Sequence, residues 1–394
     1  MQYLQLSSRE IGYEPIVRIA WFRSDPLEIV PGNVCIENLF PIAGDAFTMT
    51  LYGDLRLTWH KELMPNLQIN LRYEYQGKGN ALMITRENLK GIWAGVPTSF
   101  RRDGTFDDAT FVKDVIRCCE LNIHGVYTTG GTGEFYALEF DEFKRMVDAF
   151  VRATEGRKIM TQVGCTWINT QNVIERARYA QTKGIMGVQV ALPFWHPLNS
   201  VEVLQFFKDL SDACPDLALI HYRSERERNS LQGRQYRKLA DEVPNLVGTK
   251  FMSSNFDEWM ELVLETPELS HFVGDDRFLA HAMMIGAKGS YSGAIYLAPN
   301  LILRLYDHCV KREWDEAIAI EKRIYAFTAA AQVYDRHAAN AVGDKALTEA
   351  SGFLETKRYT RKPYLPIDEE EFIQLTDVLR RFPEFVYRKK RDAD

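Results

Sequence analysis

Lys250 closes the run Leu246-Val247-Gly248-Thr249, in which Leu246 to Gly248 are apolar or small. Such a run reads as a buried strand that delivers the lysine to its end. Burying an ammonium is costly, so its pKa is expected to fall and the neutral amine to become available. A neutral amine condenses with a ketone to form a Schiff base. A strand-end lysine snorkelling to solvent is the plain alternative. Gly130, Gly131 and Gly133, with Thr132 between them, are a second feature. Glycines admit positive φ, so successive backbone N–H groups can converge on one anion. With the Thr132 hydroxyl added, the turn reads as a carboxylate nest. It is neither a P-loop nor a GxGxxG dinucleotide turn, and Glu134 behind it reads as a structural anchor. Tyr222 is the third feature, a phenol able to shuttle protons at a carbonyl carbon or a departing hydroxyl. Its plain alternative is an aromatic of the core. Together the three describe a 2-oxo acid site: carboxylate to the nest, ketone to the lysine, proton to the tyrosine.

These residues need elements to bring them together. From Leu89 onward, apolar runs of strand length alternate with amphipathic runs of helix length. The expected strands are 92–96, 125–129, 158–164, 187–192, 217–222, 246–250, 271–274 and 289–293. Helices are expected near 108–121, 139–154, 169–183, 199–213, 231–242, 255–265, 276–286 and 299–312. Asp107 or Asp108, Asn169, and Asn199 or Ser200 are the expected caps. Eight strand–helix units over roughly 220 residues match a (β/α)8 TIM barrel, with an open doubly wound sheet as the competing architecture. Further helices at 314–330, 340–353 and 368–381 form a C-terminal helical appendage. Residues 1–87 lack a sustained helical period, and pieces such as 47–52 and 67–75 look like strands. That stretch is read as an N-terminal extension, β-rich or unordered, with Met83 as an alternative start. In a barrel, the site lies at the C-terminal ends of the strands. This adds Trp195, Tyr291 and the Arg223–Arg228 loop, including Arg226 and Arg228, as groups shaping the distal pocket.

The composition narrows the field. The 394 residues are 46% hydrophobic and 26% charged, as in soluble globular chains. A net charge of −6 leaves no basic excess for a nucleic-acid partner. No apolar run approaches the ~18 residues of a membrane span, and no signal peptide is evident. The six cysteines are scattered without a C-x-x-C spacing, as reduced thiols of a cytoplasmic chain would be. His196 and His221 are isolated and make no metal site. The basic run at 388–391 reads as a solvated tail.

From about Lys90 to Pro366 the chain resembles the dihydrodipicolinate synthase/N-acetylneuraminate lyase superfamily of class I aldolases. The resemblance is carried by Gly91-Ile-Trp-Ala-Gly-Val-Pro-Thr-Ser-Phe100, Gly130-Gly-Thr-Gly-Glu134, Tyr222, Asn245-Leu-Val-Gly-Thr-Lys250, Gly274-Asp275 and Gly286-Ala-Lys-Gly289. It implies a lysine imine at Lys250 with Tyr222 as proton relay. It also implies carboxylate binding by Gly131 and Thr132, no cofactor or metal, and a homo-oligomer, dimer or tetramer. Departures from dihydrodipicolinate synthase proper include Gly131 in place of the first of two threonines. Trp195 stands where a second tyrosine is lent across a dimer interface. Glu227 stands nearest an arginine that holds a second substrate carboxylate, with Arg226 and Arg228 as substitutes. Leu192-Pro-Phe-Trp195 and Ser292-Gly293 resemble the pyruvate-releasing hydratase-aldolases. Gly130–Phe135 with Tyr136-Ala-Leu138 resembles the 5-dehydro-4-deoxyglucarate dehydratases. The expected activity is a Schiff-base lyase on pyruvate or a related 2-oxo acid, hydratase-aldolase-like. The alternatives are a 2-keto-3-deoxy sugar acid dehydratase, dihydrodipicolinate synthase proper, a metal-dependent aldolase, and a non-catalytic 2-oxo acid binding protein.

Overall fold

The computed structural model describes residues 83–387, and upstream of them only four short backbone strands. The chain divides into two compact units, Met1–Ala81 and Leu82–Asp394. In the first, Tyr3–Leu6 pairs antiparallel with Val17–Ala20, and Phe47–Leu51 pairs parallel with Ile69–Tyr73. The basic run at 388–391 and Cys35 lie outside the described residues.

The second unit holds eight strands: β1 (Gly91–Gly95), β2 (Gly125–Thr128), β3 (Met160–Gly164), β4 (Gly187–Val190), β5 (Ala218–Arg223), β6 (Leu246–Phe251), β7 (Ser270–Val273) and β8 (Gly289–Ser292). They form one closed barrel in sequence order. An open doubly wound sheet would leave two edge strands, whereas here β8 pairs with β1 and the ring has none. The helices between them are α1 (Asp108–Cys119), α2 (Phe140–Thr154), α3 (Thr170–Thr182), α4 (Ser200–Ala213), α5 (Gly233–Glu242), α6 (Phe256–Glu265), α7 (Leu279–Met284) and α8 (Pro299–Lys311). Asp107, Asn169 and Asn199 cap α1, α3 and α4 by accepting from backbone N–H groups. The helix α7 is shorter than its pattern suggests. A 3-10 turn at Asp276–Phe278 precedes it, and the buried Asp276 carboxylate is occupied by the Ser290 and Ser292 hydroxyls and the Ala294 N–H.

The barrel interior follows from strand parity, since alternate residues face one side. Trp93, Tyr127, Ala218, Ile220, Val247, Phe272 and Tyr291 cluster with Ile84 and Leu89 from the segment preceding β1. A far larger apolar layer lies between strands and helices. The register between β5 and β6 shifts between Leu246 and Gly248, and beyond the shift Lys250 pairs with Tyr222. On its other side Lys250 pairs with Phe272 of β7.

Four further helices follow: α9 (Trp314–Ala331), α10 (Val333–Arg336), α11 (Asn340–Ser351) and α12 (Glu369–Arg381). One buried carboxyl ties the segment after α11 to the barrel. Asp114 of α1 accepts from the Glu355 N–H at 2.6 Å and the Thr356 N–H at 3.0 Å. Burial pushes its pKa up to about 7 against the opposing pull of those two donors. The native state therefore holds a proton that the unfolded chain releases near 3.8. Stability from this group is complete below that ordinary value and is lost as pH rises through about 7. Asp114→Asn should give a lower but flatter stability profile across that window, measured as urea midpoints against pH.

Candidate active site at the barrel mouth

Lys250 is 8% exposed, and its ammonium is held among aromatic rings. Its Nζ donates to the Tyr127 hydroxyl at 3.3 Å and lies 4.5 Å from the Tyr222 ring centroid. Tyr291 lies beneath, its ring centroid 5.9 Å from Nζ. The expected fall in the lysine pKa is reversed. Burial does pull it down, but the phenols of Tyr127 and Tyr222 and the Asp344 carboxylate outweigh that, leaving it above the ordinary lysine value. The resting group is an ammonium, because folding supplies counter-groups that the local sequence around Lys250 does not contain. Burial holds the Tyr127 hydroxyl above its usual value, against the opposing pull of Lys250, so at neutral pH it is a neutral phenol.

The glycine turn lies across the barrel mouth, with a geometry different from the one expected. Positive φ falls on Thr129 (55°) and Glu134 (50°), which flank the turn, rather than on Gly130, Gly131 or Gly133. Gly133 is required for space. A Cβ there would lie 2.5 Å from the Thr129 nitrogen and 2.8 Å from its Cα. Gly133→Ala should displace the turn, costing about 1–3 kcal/mol in a melting experiment and weakening pyruvate binding in a calorimetric titration. Gly131 faces open space, the nearest atom to a Cβ being the Tyr222 hydroxyl at 4.0 Å. Among the described residues, no protein acceptor takes the N–H of Gly131 or Thr132. The Thr132 hydroxyl does not face an incoming anion as a donor; it donates to Asp344 at 2.5 Å. Behind the turn, Glu134 is fully buried and ion-paired with Lys345 of α11, and it accepts from the Arg361 N–H at 3.1 Å. Arg361 in turn grips Glu142 of α2 through two bonds of 2.6 Å. Glu134 thus ties the turn to the C-terminal helices.

Of the other sequence-derived candidates, Tyr291 packs beneath Lys250, and Trp195, Arg226 and Arg228 lie on the surrounding loops. Tyr291 is 1% exposed inside the barrel, packed on Trp93, Tyr127 and Phe272, with its hydroxyl on Gln162 at 2.9 Å. Trp195 is 73% exposed on the loop after β4. Arg226 donates to Asn340 at 2.9 Å, and Arg228 donates to the Trp195 carbonyl at 3.4 Å. Both arginines brace loops. Glu227 is buried and accepts from the Leu192 N–H at 3.0 Å, with His221 also on its carboxylate at 3.0 Å. His196 is exposed, so the two histidines lie in different surroundings. No group of three or more His, Cys, Asp or Glu side chains among the described residues could hold a metal. No helix among them is long and apolar enough to cross a membrane.

Two residues in this neighbourhood were not anticipated. Tyr127 was legible, because its parity with Gly125 on β2 places it on the inner face. Asp344 carried no such signal. It reaches the Thr132 hydroxyl from α11, 212 residues along the chain.

The sequence pattern of the Dihydrodipicolinate synthetase family matches residues 88–381, beginning near and extending beyond the span the motifs mark. An uncharacterised DapA-like lyase of Pyrococcus abyssi is 25% identical over 295 residues, covering 74% of this chain and 98% of its own. A 4-hydroxy-tetrahydrodipicolinate synthase of a Sulfurovum species is 23% identical over 294 residues, covering 75% of this chain and 97% of its own. The crystal structure of YagE of Escherichia coli K12, in complex with pyruvate, superposes with a TM-score of 0.70 at 20% identity. That superposition covers 75% of this chain and 99% of YagE, and it establishes likeness of fold. With the family pattern spanning the whole barrel and most of the helices after it, this chain belongs to the dihydrodipicolinate synthetase family.

Proposed function

We propose that this chain is a lyase that forms an imine between Lys250 and a 2-oxo acid such as pyruvate. The observation that carries the reading is the Lys250 ammonium 4.5 Å from the Tyr222 ring centroid, with the Tyr222 hydroxyl bordering Gly131 of the turn. The free N–H groups of Gly131 and Thr132 hold the substrate carboxylate. Its C2 carbonyl then faces Lys250. The ammonium first sheds a proton, the amine attacks C2, and loss of water leaves a protonated imine. That cation withdraws electrons from C3 and from the bond beyond it, so the imine serves both carbon–carbon cleavage and loss of water. Tyr222 relays protons, with Tyr127 as a second phenol on the same nitrogen. Trp195, Arg226 and Arg228 shape the loops around the distal end of the substrate, and Tyr291 supports Lys250 from below. The step needs no metal or cofactor, and it takes place within a homo-oligomer, a dimer or tetramer, whose state sedimentation would read.

The names of the relatives support the class. The Pyrococcus protein is named a lyase, and YagE was crystallised with pyruvate. Borohydride reduction in the presence of radiolabelled pyruvate should leave label on the peptide carrying Lys250. Label elsewhere, or none, overturns the reading.

A further inference from the structure

Lys250 reaches across the barrel. It stands on β6, and its Nζ meets Tyr127 on β2, four strands away in a ring of eight. The lysine stem passes Gly274, where a Cβ would lie 2.6 Å from the Lys250 Cε. The phenol is seated as tightly. A Cβ on Gly95 would lie 2.5 Å from the Tyr127 hydroxyl, and one on Gly130 would lie 3.1 Å from its Cε2. The Tyr291 ring packs edge-on against it at 5.2 Å, and Tyr127 is 4% exposed. The two phenols beside the ammonium present different atoms to it. Tyr127 presents its hydroxyl oxygen, which accepts from Nζ at 3.3 Å. Tyr222 presents its ring face, with the centroid 4.5 Å from Nζ. Of the other groups around the ammonium, Tyr291 gives its hydroxyl to Gln162, and the Asp344 carboxylate is taken up by Thr132 and Tyr334. Among the described residues, the O–H of Tyr127 has no acceptor of its own.

We propose that Tyr127 is a catalytic residue that carries both protons of imine formation from the lysine nitrogen to the carbonyl oxygen. The proposal rests on the imine reading and names the group that moves its protons. Tyr127 stands four residues before Gly131 on the strand that leads into the turn. A 2-oxo acid held by its carboxylate on the Gly131 and Thr132 N–H groups therefore sets its C2 carbonyl between the turn and Nζ, on the Tyr127 side of the mouth. In the first transfer, an ammonium proton passes to the Tyr127 oxygen while the phenol's own proton passes to the carbonyl oxygen. The nitrogen lone pair so released bonds to C2, and the π pair of the carbonyl becomes the new O–H bond. The product is a carbinolamine protonated on nitrogen. In the second transfer, a proton of that nitrogen crosses the same phenol to the new hydroxyl. The C2–O bond breaks, water leaves, and the nitrogen lone pair closes the C=N bond. Two protons have moved from nitrogen to oxygen, Tyr127 is again a neutral phenol, and no outside acid or base is consumed. Such a relay must hold a proton to give whenever it takes one, and burial keeps the Tyr127 hydroxyl protonated at neutral pH.

The test uses the full chain. Tyr127→Phe keeps the ring between Gly130 and Tyr291 and removes only the hydroxyl. Competitive labelling with acetic anhydride across pH, read by peptide mass spectrometry, gives the titration midpoint of Lys250 without substrate. Losing its acceptor should lower that midpoint by about one pH unit. Although its amine is freer, Tyr127→Phe should trap pyruvate about 100-fold more slowly at neutral pH, under borohydride concentrations where reduction outruns imine formation. The deficit should narrow toward alkaline pH, where solvent removes the ammonium proton, and that recovery shows an intact fold. Tyr222→Phe keeps its ring face on the ammonium and should slow trapping by less than about 5-fold. If the wild type traps pyruvate and Tyr127→Phe traps it equally fast, or Tyr222→Phe is the slower variant, the proposal is overturned and the imine stands. If the wild type traps none, the imine reading is overturned and the proposal falls with it.

Discussion

Lys250→Met is expected to abolish deuterium exchange at the pyruvate methyl group, followed by NMR in D2O, by roughly 10⁴-fold or more. That is the scale of loss when a covalent nucleophile is removed. The exchange needs no second substrate, since a protonated imine acidifies C3 directly. Methionine suits the experiment because it is unbranched and fills the volume of a buried lysine stem. The fold should survive. The partners of the Lys250 ammonium together outweigh its desolvation, so removing the charge forfeits a net favourable interaction and frees the Tyr127 hydroxyl of its donor. Melting should therefore fall modestly while exchange vanishes. A variant that unfolds would show that the ammonium and its phenols hold the barrel mouth together.

Lys345→Met should produce the opposite pattern, a large loss of stability. Lys345 and Glu134 are both fully shielded from water and paired across 211 residues of chain. Burial pulls the Lys345 pKa below its ordinary value, and the Glu134 carboxylate opposes that pull. Removing the lysine leaves Glu134 buried, with only the Arg361 N–H on its carboxylate among the described residues, a loss of about 3–5 kcal/mol. The double variant Glu134→Gln with Lys345→Met removes both charges of the pair and should recover most of it. Urea denaturation of the two singles and the double measures the coupling directly. Activity lost in Lys345→Met and regained in the double variant would show that the anchor serves the turn.

Most of the barrel was legible from the linear pattern. Buried parallel strands demand apolar runs and amphipathic helices repeat every few residues, so the alternation from Leu89 onward already specified eight units and several caps. The strand-end lysine and tyrosine were legible for the same reason, because parity and strand length settle which residues reach the mouth. What the linear pattern misjudged depends on partners distant in sequence. The Lys250 pKa was misread because desolvation is outweighed by Tyr127 and Tyr222 with Asp344 added, and Tyr127 and Asp344 come from the distant β2 and α11. The glycines were assigned positive φ, whereas the neighbouring Thr129 and Glu134 carry it and Gly133 is needed for clearance. Arg226 and Arg228 were placed beside the substrate by position in a loop, and the fold adds partners the linear pattern does not show, Asn340 and the Trp195 carbonyl, each taking one donor.

Local composition thus determined by itself which segments become strands and helices, and which reactive side chains stand at strand ends. Those properties depend on near neighbours in the chain. The tertiary structure alone decided the charge state of the lysine, the orientation of the Thr132 hydroxyl and the anchoring of the glycine turn. Each of these depends on at least one group more than 100 residues away, brought close only when the barrel closes and α11 packs behind the turn.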